Sequence, residues 1–212
     1  KGKHIMKFGK VDNPESINFF LPTDHKSTKK ILGGKALKRT NIYIGCAKWN
    51  KQDLKGFYPR GTKDELTYYS QQFNSIELNA TFYRIFPTET VQNWYNKSSD
   101  DFKFFPKVPQ IISQFKRLNN CEEALEIYLD SIANLKEKLG MIFLQMPPNF
   151  APKSFDVLQK FIENWPKGFP LALELRHTDW FNTPIQKDVY KLLEKNKIAN
   201  VIVDTAGRRD LM

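Results

Sequence analysis

The strongest constraint on the fold is an alternation. Short apolar segments recur along the chain, each followed by a polar loop and then by a stretch of helical periodicity. The apolar segments are NIYIGCAKW (41–49), SIELN (75–79), FKFFPKVP (102–109), MIFLQMPP (141–148), PLALELRH (170–177) and ANVIVDTAG (199–207). Between them lie the predicted helices 62–73, 89–98, 121–140, 154–166 and 184–197. Thr62 with Glu65 three residues on reads as a capping box. Leu125, Tyr128, Leu129, Ile132 and Leu135 form an apolar stripe that Gly140 closes. Pro106 predicts a bulge or an early strand end, Ser154 opens a helix, and Pro184 sits in a first turn.

Apolar strands separated by amphipathic helices imply parallel pairing with both sheet faces covered. That leaves a doubly wound open sheet or a barrel. The first strand leads into GCAKWNKQDLKGFYPRG, which lacks the GxGxxG phosphate loop of the doubly wound dinucleotide folds. Polar residues follow every strand instead, as a barrel with a ring of functional loops requires. The expected architecture is a TIM (β/α)8 barrel. Such a barrel needs eight strands and typically about 250 residues. Residues 41–212 supply about six β/α units, so the expectation is a barrel domain lacking its C-terminal units, behind a basic N-terminal arm at 1–40. Met6 is a plausible start, which makes residues 1–5 a candidate expression remnant.

Charge first suggests nucleic acid, with a formal net of +10. The arm, however, holds ten Lys/Arg against three Asp/Glu, and so accounts for +7 of it. The folded body is close to balanced, and nucleic acid is a disfavoured partner, though not an excluded one. No apolar run approaches the ~20 residues of a membrane span, so no membrane partner is expected. No signal-like segment opens the chain, and the two cysteines, Cys46 and Cys121, have no metal-ligand spacing. A reduced, cytoplasmic protein is the expectation; oligomeric state is left open.

In a barrel, residues at the carboxyl ends of the strands converge on one cavity. Those positions here include Trp49, Glu77 and Asn79, Lys107, Gln145, Glu174, Arg176 and His177, and Asp204. Tyr83 and Trp180 lie close after strand ends and could wall a pocket. Period two puts Glu77 with Asn79 on one face, and Glu174 with Arg176 on another. A carboxylate pointing into a barrel must be paired, hydrogen-bonded or protonated, and such an arrangement separates acid from base roles. A structural ion-pair network closing the barrel end explains the same residues. Multi-histidine zinc is excluded for the body, because His4 and His25 lie in the arm and leave His177 alone. No metal ligand is assigned and no cofactor is required. Glu77, Glu174 and Asp204 leave room for a divalent ion, against which the neighbouring cations compete.

The motifs IGCAKWNKQDLKGFYPRG, FNSIELNATFYR, FPKVPQIIS, IFLQMPP, LALELRHTDWF and VIVDTAG resemble, in order and spacing, those of the YecE-like family (domain of unknown function seventy-two). The resemblance runs from about Ile42 to the end. It implies a TIM barrel and longer members, and it brings no established activity. Its characteristic residues fall at Glu77, Asn79, Phe82, Tyr83, Arg84, Lys107, Gln145, Pro147, Glu174, Arg176, His177, Trp180 and Asp204. GCAKW departs from relatives that have a Thr-Ser-Gly-like stretch before the tryptophan, which weighs against a catalytic Cys46.

The leading expectation is an acid–base enzyme, a hydrolase, lyase or isomerase, acting on a small polar or anionic molecule of sugar- or phosphate-like character. Glu77 and Glu174 would be acid and base with Asp204 supporting. Lys107, Arg176 and His177 would meet negative charge, and Asn79, Tyr83, Gln145, Trp49 and Trp180 would complete the pocket. The alternatives are a non-catalytic metabolite-binding barrel and a nucleic-acid-processing protein.

Overall fold

The computed structural model describes residues 13–16, 18, 20, 23, 27–33, 41–205 and 208–209. Most of the basic arm, with His4 and His25, lies outside the described residues. The chain divides into two compact units, residues 42–201 and residues 1–41 with 202–212. The smaller unit contains a 3-10 turn Pro14–Ser16 and helix α1 (Thr28–Leu32). It also contains strand β7 (Asp204–Thr205), paired antiparallel with β8 (Arg208–Arg209).

The larger unit carries six parallel strands: β1 (Gly45–Cys46), β2 (Ser75–Leu78), β3 (Lys103–Pro106), β4 (Ile142–Gln145), β5 (Leu171–Glu174) and β6 (Ala199–Asn200). They form the sheets β1-β2-β3 and β4-β5-β6. The two are joined through parallel bridges from Lys107 to Phe143 and from Phe104 to Leu139. Sequence order and spatial order therefore coincide from β1 to β6. No closed barrel forms among the described residues.

Each strand is shorter than its apolar segment. Segment 41–49 yields only two paired residues, because among the described residues β1 borders β2 alone. Gly45 is required there: a Cβ would lie 1.9 Å from the Ser75 carbonyl oxygen across the pair. Segment 199–207 divides between β6 in one unit and β7 in the other. Pro106 ends β3, the position at which its missing N–H would otherwise be needed.

The helices are α2 (Glu65–Gln72), α3 (Ala80–Tyr83), α4 (Thr88–Lys97), α5 (Glu122–Ile132), α6 (Phe155–Glu163) and α7 (Ile185–Asn196). The capping box at Thr62 is not formed. Asp64 is the N-cap of α2, its carboxylate accepting from the Thr67 N–H at 2.9 Å, while the Thr62 hydroxyl donates back to the Pro59 carbonyl. The helix expected over 121–140 breaks into α5 and a 3-10 segment Ala133–Lys138, where Lys136 has φ 50°. Its apolar stripe nonetheless packs inward as its spacing requires: Tyr128, Leu129, Ile132 and Leu135 are buried. Ser154 precedes α6 without a side-chain cap.

Strand alternation sorts the two sheet faces. Ile76, Leu78, Phe104, Ile142, Leu144, Leu171 and Leu173 are buried in one cluster with Leu66, Tyr69, Val91, Tyr128, Leu158, Phe161, Val189 and Leu192 of the helices. The opposite face carries Glu77, Phe105, Lys107, Phe143, Gln145, Ala172 and Glu174. On it Glu77 is exposed and Phe105, Phe143 and Ala172 are half-buried. Both faces were expected to be covered. Helices cover one, and the second presents the polar residues.

Candidate functional site

Register brings the strand-end residues together on that open face. Gln145 lies directly opposite Glu174 in the β4–β5 pair, and its Nε2 donates to Glu174 Oε2 at 2.7 Å. Arg176, two residues on and on the same side, donates from Nε to Oε1 at 2.7 Å. Glu174 is 2% exposed, and these donors give each of its oxygens a hydrogen bond, as a buried carboxyl requires. Gln145 is itself held by Gln114, from the π-helical turn Ile111–Phe115, which donates to the Gln145 carbonyl at 2.8 Å.

Lys107 leaves β3 between Glu77 on one side and Phe143 on the other. The Thr81 hydroxyl is shared between the carbonyl oxygens of Leu78 (2.8 Å) and Lys107 (2.7 Å), which ties α3 to the end of β3. This places the Phe82 ring 4.8 Å from the Lys107 Nζ, and the Phe143 ring lies 5.2 Å from it. No carboxylate comes within ion-pair distance of that ammonium among the described residues. Burial pulls its pKa below the ordinary 10.5; the Glu77 field opposes the fall, Arg176 adds to it and Glu174 opposes it. The aromatic faces also favour the charged form, by about 1 kcal/mol, and burial prevails.

Beside this cluster a cleft of about 380 Å³ opens at the ends of β1 and β2, lined by Lys48, Trp49, Asp53, Glu77, Asn79 and Tyr83 among others. Tyr69 ties the two strands that lead into it, accepting from the Cys46 N–H at 2.6 Å and donating to the Ser75 carbonyl at 3.1 Å. Burial raises the Tyr69 pKa, so the phenol stays protonated as that donor requires. Lys48 pairs with Asp53 at 3.2 Å, and Asn50 donates to the same carboxylate at 2.7 Å. The Asn50 and Lys48 donors hold the Asp53 carboxyl below the usual range. Tyr83 stands 71% exposed at the rim, while Trp49 packs edge-on against Trp94.

Two expected site residues, Trp180 and His177, are engaged locally. Trp180 is 1% exposed, stacked on Phe150 with its Nε1 donating to the Phe150 carbonyl at 2.5 Å; it is a core residue, not a pocket rim. His177 caps the 3-10 turn Thr178–Phe181, its Nδ1 accepting from the Asp179 N–H at 3.2 Å. Asp204 belongs to β7 of the smaller unit. Among the described residues no three His, Cys, Asp or Glu side chains are grouped so as to hold a metal ion. Two contributors were missed. Phe143 was legible, since it precedes Gln145 by two residues and shares its face. Gln114 carried no signal, because a π-helical turn has no sequence period of its own.

Fold and site together define a parallel α/β protein with a lysine–arginine–carboxylate cluster at the carboxyl ends of its strands. Residues 43–212 match the family described as protein of unknown function DUF72, and the chain belongs to that family. It is 28% identical over 168 residues to the UPF0759 protein YecE of Escherichia coli, covering 77% of this chain and 59% of that protein. It is likewise 28% identical over 162 residues to the UPF0759 protein YunF of Bacillus subtilis, covering 72% of this chain and 57% of that one. Crystal structures of DUF72 family proteins superpose well. That from Enterococcus faecalis gives a TM-score of 0.66 at 27% identity over 77% of this chain and 61% of its own. That from Thermotoga maritima gives 0.63 at 29% identity over 76% and 64%. The chain thus spans less than two thirds of the length of these relatives. Among the described residues no helix is long and apolar enough to cross a membrane.

Proposed function

We propose that the open strand face is the active site of an acid–base enzyme acting on a small anionic molecule. We read β1 to β6 as six successive staves of a (β/α)8 barrel, whose mouth holds this site. One observation carries the reading: Lys107 is 9% exposed, yet among the described residues its ammonium has no carboxylate partner, and groups of both signs surround it. A buried charge of this kind is costly unless a ligand supplies the counter-ion. Glu77, exposed and one strand away, is the group free to exchange protons with such a ligand. Glu174 acts differently from the expected acid or base: both its oxygens already accept hydrogen bonds, so it positions Arg176 and Gln145. The free thiols Cys46 and Cys121 suit a reducing, cytoplasmic setting.

Thermal unfolding in the presence of inorganic phosphate, sugar phosphates and small carboxylates tests the reading. Saturable stabilisation is expected, of about 2.7 kcal/mol at a hundredfold excess over Kd, and Lys107→Met abolishes it. Equal stabilisation by neutral sugars, or an unchanged shift in K107M, would contradict an anion site. A non-catalytic binding protein gives the same shifts with no product from any stabilising ligand.

A further inference from the structure

Two buried lysines of the larger unit are built in opposite ways. Lys138 is 3% exposed, and its ammonium donates to the Tyr95 carbonyl at 2.8 Å, the Ser98 carbonyl at 2.7 Å and the Ser98 hydroxyl at 3.2 Å. Its three donors meet three acceptors, as a structural cation requires. Lys107 is nearly as buried, and among the described residues no protein acceptor lies within hydrogen-bond reach of its Nζ. That atom is not sealed from solvent. Aromatic faces flank it, and Arg176 contributes positive field. A desolvated lysine beside a second cation is the arrangement that activates an amine towards carbonyl carbon. Glu77 supplies a carboxylate: it faces Phe105 across the β2–β3 pair, one diagonal step from Lys107 on the same side of the sheet.

The geometry points to Lys107 as a covalent, imine-forming residue for a small anionic carbonyl compound of the 2-oxo acid class. The inference rests on the reading of this face as an anion site and adds to it the bond formed and the substrate class. The neutral Nζ attacks the carbonyl carbon, and the C–N bond forms as the C=O π pair moves onto oxygen. Glu77 carries one proton from nitrogen to that oxygen, giving the carbinolamine. It then carries the second nitrogen proton to the hydroxyl, which leaves as water while the C=N bond forms. Amine and carbonyl become imine and water, and nothing is oxidised or reduced. Burial favours the reactive neutral amine, and the positive field of Arg176 attracts the carboxylate of the oxo acid.

Reductive trapping tests this on the full chain. The protein is incubated with glyoxylate or pyruvate and sodium cyanoborohydride at neutral pH, and its peptides are mapped by mass. Lys107 should label ahead of exposed lysines such as Lys48 and Lys191, whose side chains are 60% and 78% exposed. The lead is roughly tenfold for each unit by which its pKa is depressed. The adduct gains the mass of the acid less water plus two hydrogens, and neither Lys107→Met nor the charge-preserving Lys107→Arg forms it. Labelling of surface lysines with Lys107 unmodified overturns the proposal. Melting curves in the same mixtures without reductant separate the two ideas. Saturable stabilisation with no Lys107 adduct overturns the covalent role and leaves the anion site standing; absence of both overturns both.

Discussion

Lys107 and Lys138 show how much a buried charge depends on its acceptors. The Lys138 ammonium neutralises the carboxyl end of α4, so Lys138→Met removes the charged donor from two carbonyls and a hydroxyl, leaving the Tyr95 carbonyl only the Ser98 hydroxyl. That should cost about 3 kcal/mol in urea unfolding. Lys107→Met removes a charge that no acceptor among the described residues holds, and should be neutral or stabilising at pH 7. The pH dependence follows from the depressed pKa of Lys107. The unfolded chain binds the proton more tightly there, so the folded state is penalised below the folded pKa. The penalty is relieved as pH rises through that value and is gone by the ordinary 10.5. The stability advantage of K107M should therefore be greatest near neutrality and shrink as pH approaches 10.5. A constant difference across that range would show that Lys107 titrates normally.

At the scale of elements, periodicity was the reliable signal and boundaries were not. The stripe from Leu125 to Leu135 identified the buried side of α5, because side-chain spacing survives the local break into a 3-10 turn. The break itself, with Lys136 at φ 50°, has no apolar pattern to announce it. The start of α2 went wrong for a related reason. Thr62 and Asp64 are both good caps, and only the chain path decides which side chain reaches a free N–H. Asp64 also receives Lys97 at 2.6 Å from the end of α4, a contact invisible in local sequence. Asp64→Ala should thus destabilise the protein by about 1 kcal/mol, whereas Thr62→Ala should stay within about 0.5 kcal/mol. The reverse order in chemical denaturation would restore the capping box.

Across the whole molecule, strand order and the gathering of Glu77, Lys107, Gln145, Glu174 and Arg176 were legible, because consecutive parallel strands place their ends side by side. The burial of Trp180 was not: an aromatic after a strand end fits a rim or a core equally well, and only the Phe150 carbonyl decides it. The different settings of the two glutamates, one buried and hydrogen-bonded and one exposed, were also hidden. They depend on cross-strand register, which sets Gln145 against Glu174 and leaves Glu77 exposed. At the centre of the proposed anion site is a buried lysine whose ammonium meets no carboxylate among the described residues. The most direct measurement is an NMR titration of the Lys107 side chain, with and without inorganic phosphate. The expected midpoint lies below 10.5 in the free protein and rises when phosphate binds. A midpoint at or above the ordinary value, unmoved by phosphate, would contradict the anion site at its centre.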